Sequence, residues 1–282
     1  MHIALAVGTA NPNLSTSDRL LADAFFALGA RTSVLRWNAD PVAEFLACDA
    51  VLLRATWDYQ DNPGAFADWV EALERSGARV FNSASLAVWN NDKRHLIELA
   101  SRGAFVPPTI ALPDGTGMAA AVAELGGDVV VKPAWGGDGV GVRRGDAGSV
   151  HAIVAGVAAE APGRPLMLQP YLPEIAQGEW SLIFLGGAFA HAVLKRPAPG
   201  EFRVNSRFGG TRAVASPPRA MIADGEHVAS LLPEVPLYAR IDGVLRDGRL
   251  LCTELELTDP NLFFDLAPES AQKLASLTLA HL

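Results

Sequence analysis

Residues 129–144 read VVVKPAWGGDGVGVRR. Three valines run into Lys132 and Pro133, and Gly136, Gly137, Gly139 and Gly141 follow within six positions. The valines predict a buried strand, and bare glycine backbone lets amide groups approach anionic oxygens closely. Two familiar phosphate loops are excluded. No lysine follows the glycines, as a Walker loop requires, and their two-and-two spacing is not G-x-G-x-x-G. VGVRR, which comes next, is strand-like, so the stretch predicts a strand–loop–strand hairpin with its lysine ahead of the glycines. An unpaired cation ending an apolar strand is costly. The loop alone suits a mobile surface hairpin as well as a phosphate flap, and Lys132 shifts the balance toward phosphate.

The whole chain has 282 residues, half of them hydrophobic, and a formal charge of −8. That length suits about two domains of roughly 150 residues. No lysine or arginine run exceeds two, so the basic stripe of a nucleic-acid surface is missing, and anionic membranes are disfavoured too. Cys48 and Cys252 read as buried thiols in a reducing compartment. The opening MHIALAVGTANPN has no basic n-region and reads as a first strand, not a signal peptide. No segment approaches the ~18 apolar residues of a membrane span. The expected address is the cytoplasm, and the expected assembly a homodimer.

Residues 1–90 alternate strand and helix: HIALAVG, SDRLLADAFFALGA, RTSVLRW, DAVLLRATW, GAFADWVEALERSG and RVFN. That order predicts a parallel sheet with helices on both faces. Its ligands should gather at the carboxyl ends of the strands, here residues 8–11, 54–58 and 82–83. NNDKRHLIELASRG then predicts a helix opened by Lys93, whose charge opposes the helix dipole unless a polyanion binds there. VPPT at 106–109 forces an extended linker. Up to Pro170 the order is strand, helix, strand, glycine loop, strand, the helix VHAIVAGVAAEA, and strand. Residues 171–282 are mainly strand pairs, with a closing helix PESAQKLASLTLAHL.

YARIDGVLRDGRLLCTELEL, 238–257, alternates on both sides of Asp247-Gly248. Facing residues of an antiparallel pair share a side. Matching Ile241 and Leu245 to Leu251 and Leu255 needs an odd number of loop residues. The expectation is therefore a three-residue loop with a glycine bulge, not a strict two-residue turn. Asp242, Glu254 and Glu256 then converge, and three crowded carboxylates call for a cation. Hard oxygen ligands suit Mg²⁺ or Mn²⁺ bridging to substrate phosphates.

Five stretches in this order resemble the ATP-grasp superfamily: NDKRHLIELASRGAFVPPT, VVVKPAWGGDGVGV, LQPYLPEIAQGEWSL, LKRPAPGEFRVN and IDG…TELELTDP. The likeness is strongest from Asn91 to Pro260. It implies an α/β protein of ATP-grasp fold. A parallel, Rossmann-like domain (1–90) would carry the substrate side. A central lobe with the glycine flap (91–170) and a C-terminal lobe with the metal site (171–282) would clasp ATP. By the same resemblance Lys93 and Lys132 hold phosphates, while Trp135, Gly136, Gly137, Gly139 and Gly141 belong to the covering loop. Gln169, Pro170, Tyr171 and Leu172 form the linker at the adenine edge, and Glu179 sits at the ribose hydroxyls. Arg196 and Arg203 face the γ-phosphate and the activated carboxylate, with Asn205 beside them. Asp242, Glu254 and Glu256 match the metal ligands. Glu254-Leu-Glu256 replaces the usual Glu-x-Asn, adding one negative charge, and Pro170 replaces a commoner acidic residue.

Such a protein activates a carboxylate as an acyl phosphate for attack by an amine. TANPN…RATWDY and QPYLPEIAQGEWSLIF…LKRPAPGEFRVN…FGGT are similar to the O-ureidoserine cyclo-ligases of D-cycloserine biosynthesis. That likeness implies a small amino-acid-like substrate, with Asn11, Arg54, Thr56 and Asp58 as its candidate contacts and Trp57 and Tyr59 as pocket walls. An intermolecular carboxylate–amine ligase making or extending a peptide would use the same ATP site. A nucleotide-binding regulator without turnover is a third reading, disfavoured by the retained arginines and carboxylates. A nicotinamide enzyme would need a glycine fingerprint after the first strand, which GTANPN lacks.

Overall fold

The computed structural model describes residues 1–112, 117–160 and 162–282. Four strands come first: β1 (His2–Val7), β2 (Arg31–Arg36), β3 (Ala50–Ala55) and β4 (Val80–Phe81). They form a parallel sheet of order β2-β1-β3-β4. Helices α1 (Thr16–Ala27), α2 (Val42–Leu46) and α3 (Pro63–Arg75) make the connections. Ser15 caps α1 by accepting from the Asp18 amide. The short α2 was not foreseen. Nor was α4 (Ala84–Asn90), because the expected helix from Asn90 is broken: α5 (His95–Ser101) starts only after a turn holding Lys93.

Next comes an antiparallel sheet of order β5-β8-β6-β7. Its strands are β5 (Ile110–Leu112), β6 (Val129–Pro133), β7 (Arg143–Gly145) and β8 (Leu166–Pro170). Helices α6 (Met118–Glu124) and α7 (Val150–Glu160) cover it. The expected end of α7, Ala161, lies outside the described residues. β6 and β7 pair antiparallel across the glycine loop, as the opening stretch predicts.

A third, antiparallel sheet has the order β11-β10-β9-β12-β13. It is built from β9 (Glu179–Leu185), β10 (Ala188–Arg196), β11 (Thr211–Val214), β12 (Tyr238–Arg246) and β13 (Arg249–Glu256), with α8 (Arg219–Ser230) and α9 (Pro268–Ala280). The β12–β13 turn differs from expectation. Arg246 pairs with Arg249, leaving a two-residue turn in which Asp247 and Gly248 both have positive φ. The extra residue that the side-chain parity demands is in the strand. Gly243 faces Cys252 and Asp242 faces Glu254, so Thr253 is bulged out. Ile241 then meets Leu255 and Arg240 meets Glu256. The parity argument holds, and its location is corrected.

One core joins the first and third sheets: Ile3, Leu5 and Leu52 pack with Ile183, Tyr238 and Leu274. The middle sheet has a separate core of Val129, Val131, Val157, Leu166 and Leu168. Polar stitches reinforce the first junction. The Asn82 amide donates to the carbonyls of Tyr238 and Leu257, and Asn90 donates to that of Leu255.

Candidate active site

A cavity of about 840 Å³ lies where the three sheets meet, within the range of small-molecule sites. Strand ends position its charges. Lys132 reaches it from β6, buried to 9 % exposure, with the Thr253 carbonyl at 3.4 Å as its one hydrogen-bond acceptor among the described residues. Burial and the neighbouring Lys93 ammonium push its pKa down, and Glu254 only partly opposes them. Burial also acts against a charged Lys93. There the Glu254 carboxylate at 2.8 Å prevails and raises the pKa. The Lys93 ammonium also donates to the Gly136 carbonyl, at the base of the flap.

Gly136, Gly137 and Gly139 line the cavity with Asp138 and Val140. Gly139 and Gly141 have φ of 71° and 70°, which side chains disfavour. Gly141 does not itself line the cavity; its amide donates to Glu160. Pro170, Tyr171, Leu172 and Gln169 line the wall at the end of β8, where the Gln169 amide donates to Thr109 at 2.9 Å. Arg203 and Asn205 line the opposite side, Arg203 paired with Glu201 at 2.7 Å and stacked 3.6 Å over Phe208.

Oxygens of Asp242, Glu254 and Glu256 lie within 4.8 Å of one another. This all-oxygen set fits a divalent cation. Side chains already supply neutralising charge. Asp242 accepts from Arg240 at 3.0 Å, from Lys195 at 3.3 Å and from Ser181 at 2.5 Å, and Arg240 also pairs with Glu256. Burial would raise Glu254, but the two lysines hold it down to about 2. Burial raises Glu256, and its two carboxylate neighbours add to that against Arg240.

Besides Gly141, four expected site residues lie off the cavity. Arg196 is exposed and does not line the cavity. Lys195 lines it instead, pairing with Glu179 at 2.7 Å and with Asp242. The physical reason is strand alternation: Lys195 faces Glu179 across β9–β10, so its neighbour turns away. Arg54 is wholly buried, donating to Asp18 at 2.8 Å and to the Pro260 carbonyl at 2.7 Å. Thr56 is buried as well, donating to Asp259 at 2.8 Å. The C-terminal lobe docks on these strand ends and consumes both side chains. Trp135 packs on the core shared by Leu96 and Leu182, not on the cavity. Asn11 and Asp58 do line it, but the Asp58 oxygens are filled by Trp37, Asn38, Thr9 and the Ala10 amide.

Sequence reasoning also missed Lys195, Arg240 and Asp259 as lining residues. The alternation of β10 and β12 carried a signal for the first two once the registers were known. Asp259 follows the strand and carried none.

A model of the prokaryotic glutathione synthetase ATP-grasp domain matches residues 97–263. The chain belongs to the ATP-grasp family. ATP-grasp ligases use ATP and a divalent metal, in agreement with the lysines, flap and carboxylates around the cavity. The N-terminal domain of D-cycloserine synthetase DcsG matches residues 3–82. The cycloserine biosynthesis protein DcsG of Streptomyces lavendulae is 28 % identical over 275 residues, 90 % of each chain. Glutathione synthetase of Ralstonia nicotianae is 30 % identical over 233 residues, 81 % of this chain and 69 % of the relative. Among solved structures, D-cycloserine synthetase DcsG superposes with a TM-score of 0.87 at 24 % identity, covering 100 % of this chain and 99 % of the other. D-alanine–D-alanine ligase from Bacillus anthracis gives 0.72 at 18 % identity, with 99 % and 96 % covered. These two likenesses concern the fold.

Proposed function

We propose that this ATP-grasp ligase is an ADP-forming cyclo-ligase that closes O-ureido-D-serine to D-cycloserine. The match of residues 3–82 to the DcsG N-terminal domain carries the reading, because the first sheet forms the substrate side of the cavity. The substrate carboxylate attacks the γ-phosphorus of ATP, the bond to the β-phosphate oxygen breaks, and ADP departs. The oxyamine nitrogen then attacks the acyl carbon and expels phosphate, while the ureido carbonyl is lost with one water as carbon dioxide and ammonia.

In this reading Lys93 and Lys132 hold the phosphates and the flap amides close over them, keeping water from the acyl phosphate. Arg203 and Lys195 offset charge on the transferred group, and Asn205 orients the carboxylate. Gln169 to Leu172 and Glu179 seat the nucleoside. Asp242, Glu254 and Glu256 would hold Mg²⁺, which supplies charge neutralisation during phosphoryl transfer. The chain's own work is alignment and electrostatics. The proposed location is the cytoplasm; among the described residues no helix is long and apolar enough to cross a membrane.

Incubation with ATP, Mg²⁺ and O-ureido-D-serine should release ADP together with a ring-closed product identified by mass. ADP release without that product rejects the cyclisation. The glutathione synthetase relatives favour one second reading, an intermolecular carboxylate–amine ligase. ADP release that requires a separate amine would select it.

A further inference from the structure

Carboxylates lining the cavity are almost all matched by a lysine or arginine, as in the pairs made by Glu179, Asp242, Glu254 and Glu256. Asp61, Asp138 and Glu160 are paired with arginines too. Asp58 has no cation among the described residues, but four neutral donors fill its oxygens. Asp259 is different. It lines the cavity, is 8 % exposed, and forms no ion pair among the described residues.

One oxygen, Oδ2, accepts from the Thr56 hydroxyl at 2.8 Å. No side chain donates to the other, Oδ1, among the described residues. The nearby Arg54 guanidinium is committed to Asp18 and to the Pro260 carbonyl. Trp57 donates to the Asp259 carbonyl at 3.2 Å, which fixes the backbone. A buried carboxylate without a cation is costly. Burial accordingly pushes Asp259 up to about 7, beyond what the Thr56 hydroxyl, the Arg54 charge and the Thr56 backbone offset. The arrangement is a held carboxylate with one open oxygen, three residues past Glu256. Trp57 and Tyr59 line the same cavity, and aromatic faces favour a cation.

We propose that Asp259 binds the ammonium group of the amino-acid substrate, beside the carboxylate that is phosphorylated. This rests on the reading of an amino-acid-like substrate given above. An α-ammonium and its carboxylate sit on one carbon, so the residue reading the first must stand next to the site activating the second. Asp259 meets that requirement because it leaves the same strand that carries Glu254 and Glu256. It would also select amino acids over simple carboxylic acids.

The test is calorimetric binding, in the presence of ATP analogue and Mg²⁺, of two ligand pairs to wild type and Asp259→Asn. The pairs are O-ureido-D-serine with 3-(ureidooxy)propionate, and D-alanine with propionate. Asparagine keeps the shape and can still accept from Thr56, and unchanged nucleotide affinity checks that the fold is intact. Wild type should prefer the ammonium-bearing member by at least about tenfold, and D259N should lose that preference. If D259N keeps it, the inference is overturned. If D259N loses Mn²⁺ affinity instead and retains the amine preference, Asp259 is a metal ligand and the inference is likewise overturned. If wild type prefers D-alanine and ignores O-ureido-D-serine, the cyclo-ligase reading falls and Asp259 is judged on the D-alanine pair. No preference on either pair overturns the inference outright.

Discussion

The two hairpins that meet across the cavity are built on opposite plans. The flap hairpin, β6–β7, belongs to a lobe with its own small core and presents mostly backbone. The carboxylate hairpin, β12–β13, joins the core shared with the N-terminal sheet through Tyr238 and a second core through Ala239, Ile241, Leu250 and Leu255, and its functional side chains are paired with cations. Two side-chain contacts tie the flap lobe to the 57–61 turn of the first domain. Gln60 accepts from the Gly137 amide at 2.9 Å, and Arg164 pairs with Asp61 at 3.1 Å. The lesson is a division of labour. Charge must be preorganised where phosphoryl transfer occurs, whereas the cover must open for exchange. In the proposed reading the fused half supplies the first and the flap lobe the second.

The strongest way to break this comparison is Glu254→Gln. It removes a carboxylate from the fixed hairpin and strips Lys93 of its partner, so ADP release should fall about a thousandfold. A loss under about tenfold in steady-state turnover would place the chemistry elsewhere. His95 tests the rigidity of the fixed half. Its ring is buried beside Trp89, 4.9 Å away, and both nitrogens lack hydrogen-bond partners among the described residues. Burial, aided by Lys93, lowers its pKa from 6.5 to about 4. The folded state therefore binds the proton less readily than the unfolded one. Stability is complete above the unfolded value and is lost as pH falls from 6.5 toward 4. Relative to His95→Phe, wild type should lose about 2 kcal/mol between about pH 7.5 and about pH 5. Urea unfolding at the two pH values measures it, and a pH-independent difference contradicts the buried, neutral ring.

Lys132→Ala probes the boundary between the two plans, since this lysine stands on the flap strand but leans on Thr253 of the other hairpin. Nucleotide affinity should drop by about 10- to 100-fold with the melting temperature little changed. Unaltered ATP binding by calorimetry removes Lys132 from the site. The smallest effect is expected from Gln60→Ala. Losing one hydrogen bond of about 1 kcal/mol should speed amide exchange at residues 136–141 and leave exchange in β12 and β13 untouched. Equal acceleration in both hairpins would mean they are not mechanically separate.

Much of this was legible beforehand because the informative residues are local. VVVKP followed by glycines can only be a strand that ends in a bare loop, and the βα alternation of the first ninety residues fixes a parallel sheet. The side-chain parity of 238–257 required one extra residue in the hairpin, and there is one, bulged within β13 and not in the loop. What eluded sequence was where such residues lie. Ala190 in β10 and Thr253 in β13 are both bulged, and neither residue type announces a bulge. Those two positions decide that Lys195 pairs with Glu179 and that Glu254 pairs with Asp242. Arg54 and Thr56 looked like ligands because they end a parallel strand, yet the lobe docked over that end buries them.

The sequence by itself determined the class of fold, the flap and the acidic trio, since each follows from neighbours a few residues apart. Only the tertiary structure decided which cation faces the trio, which strand ends stay open, and that Asp259 is left with an unshared oxygen. Those outcomes depend on register and on lobe docking, where shifting one residue turns a side chain from the cavity to the opposite face.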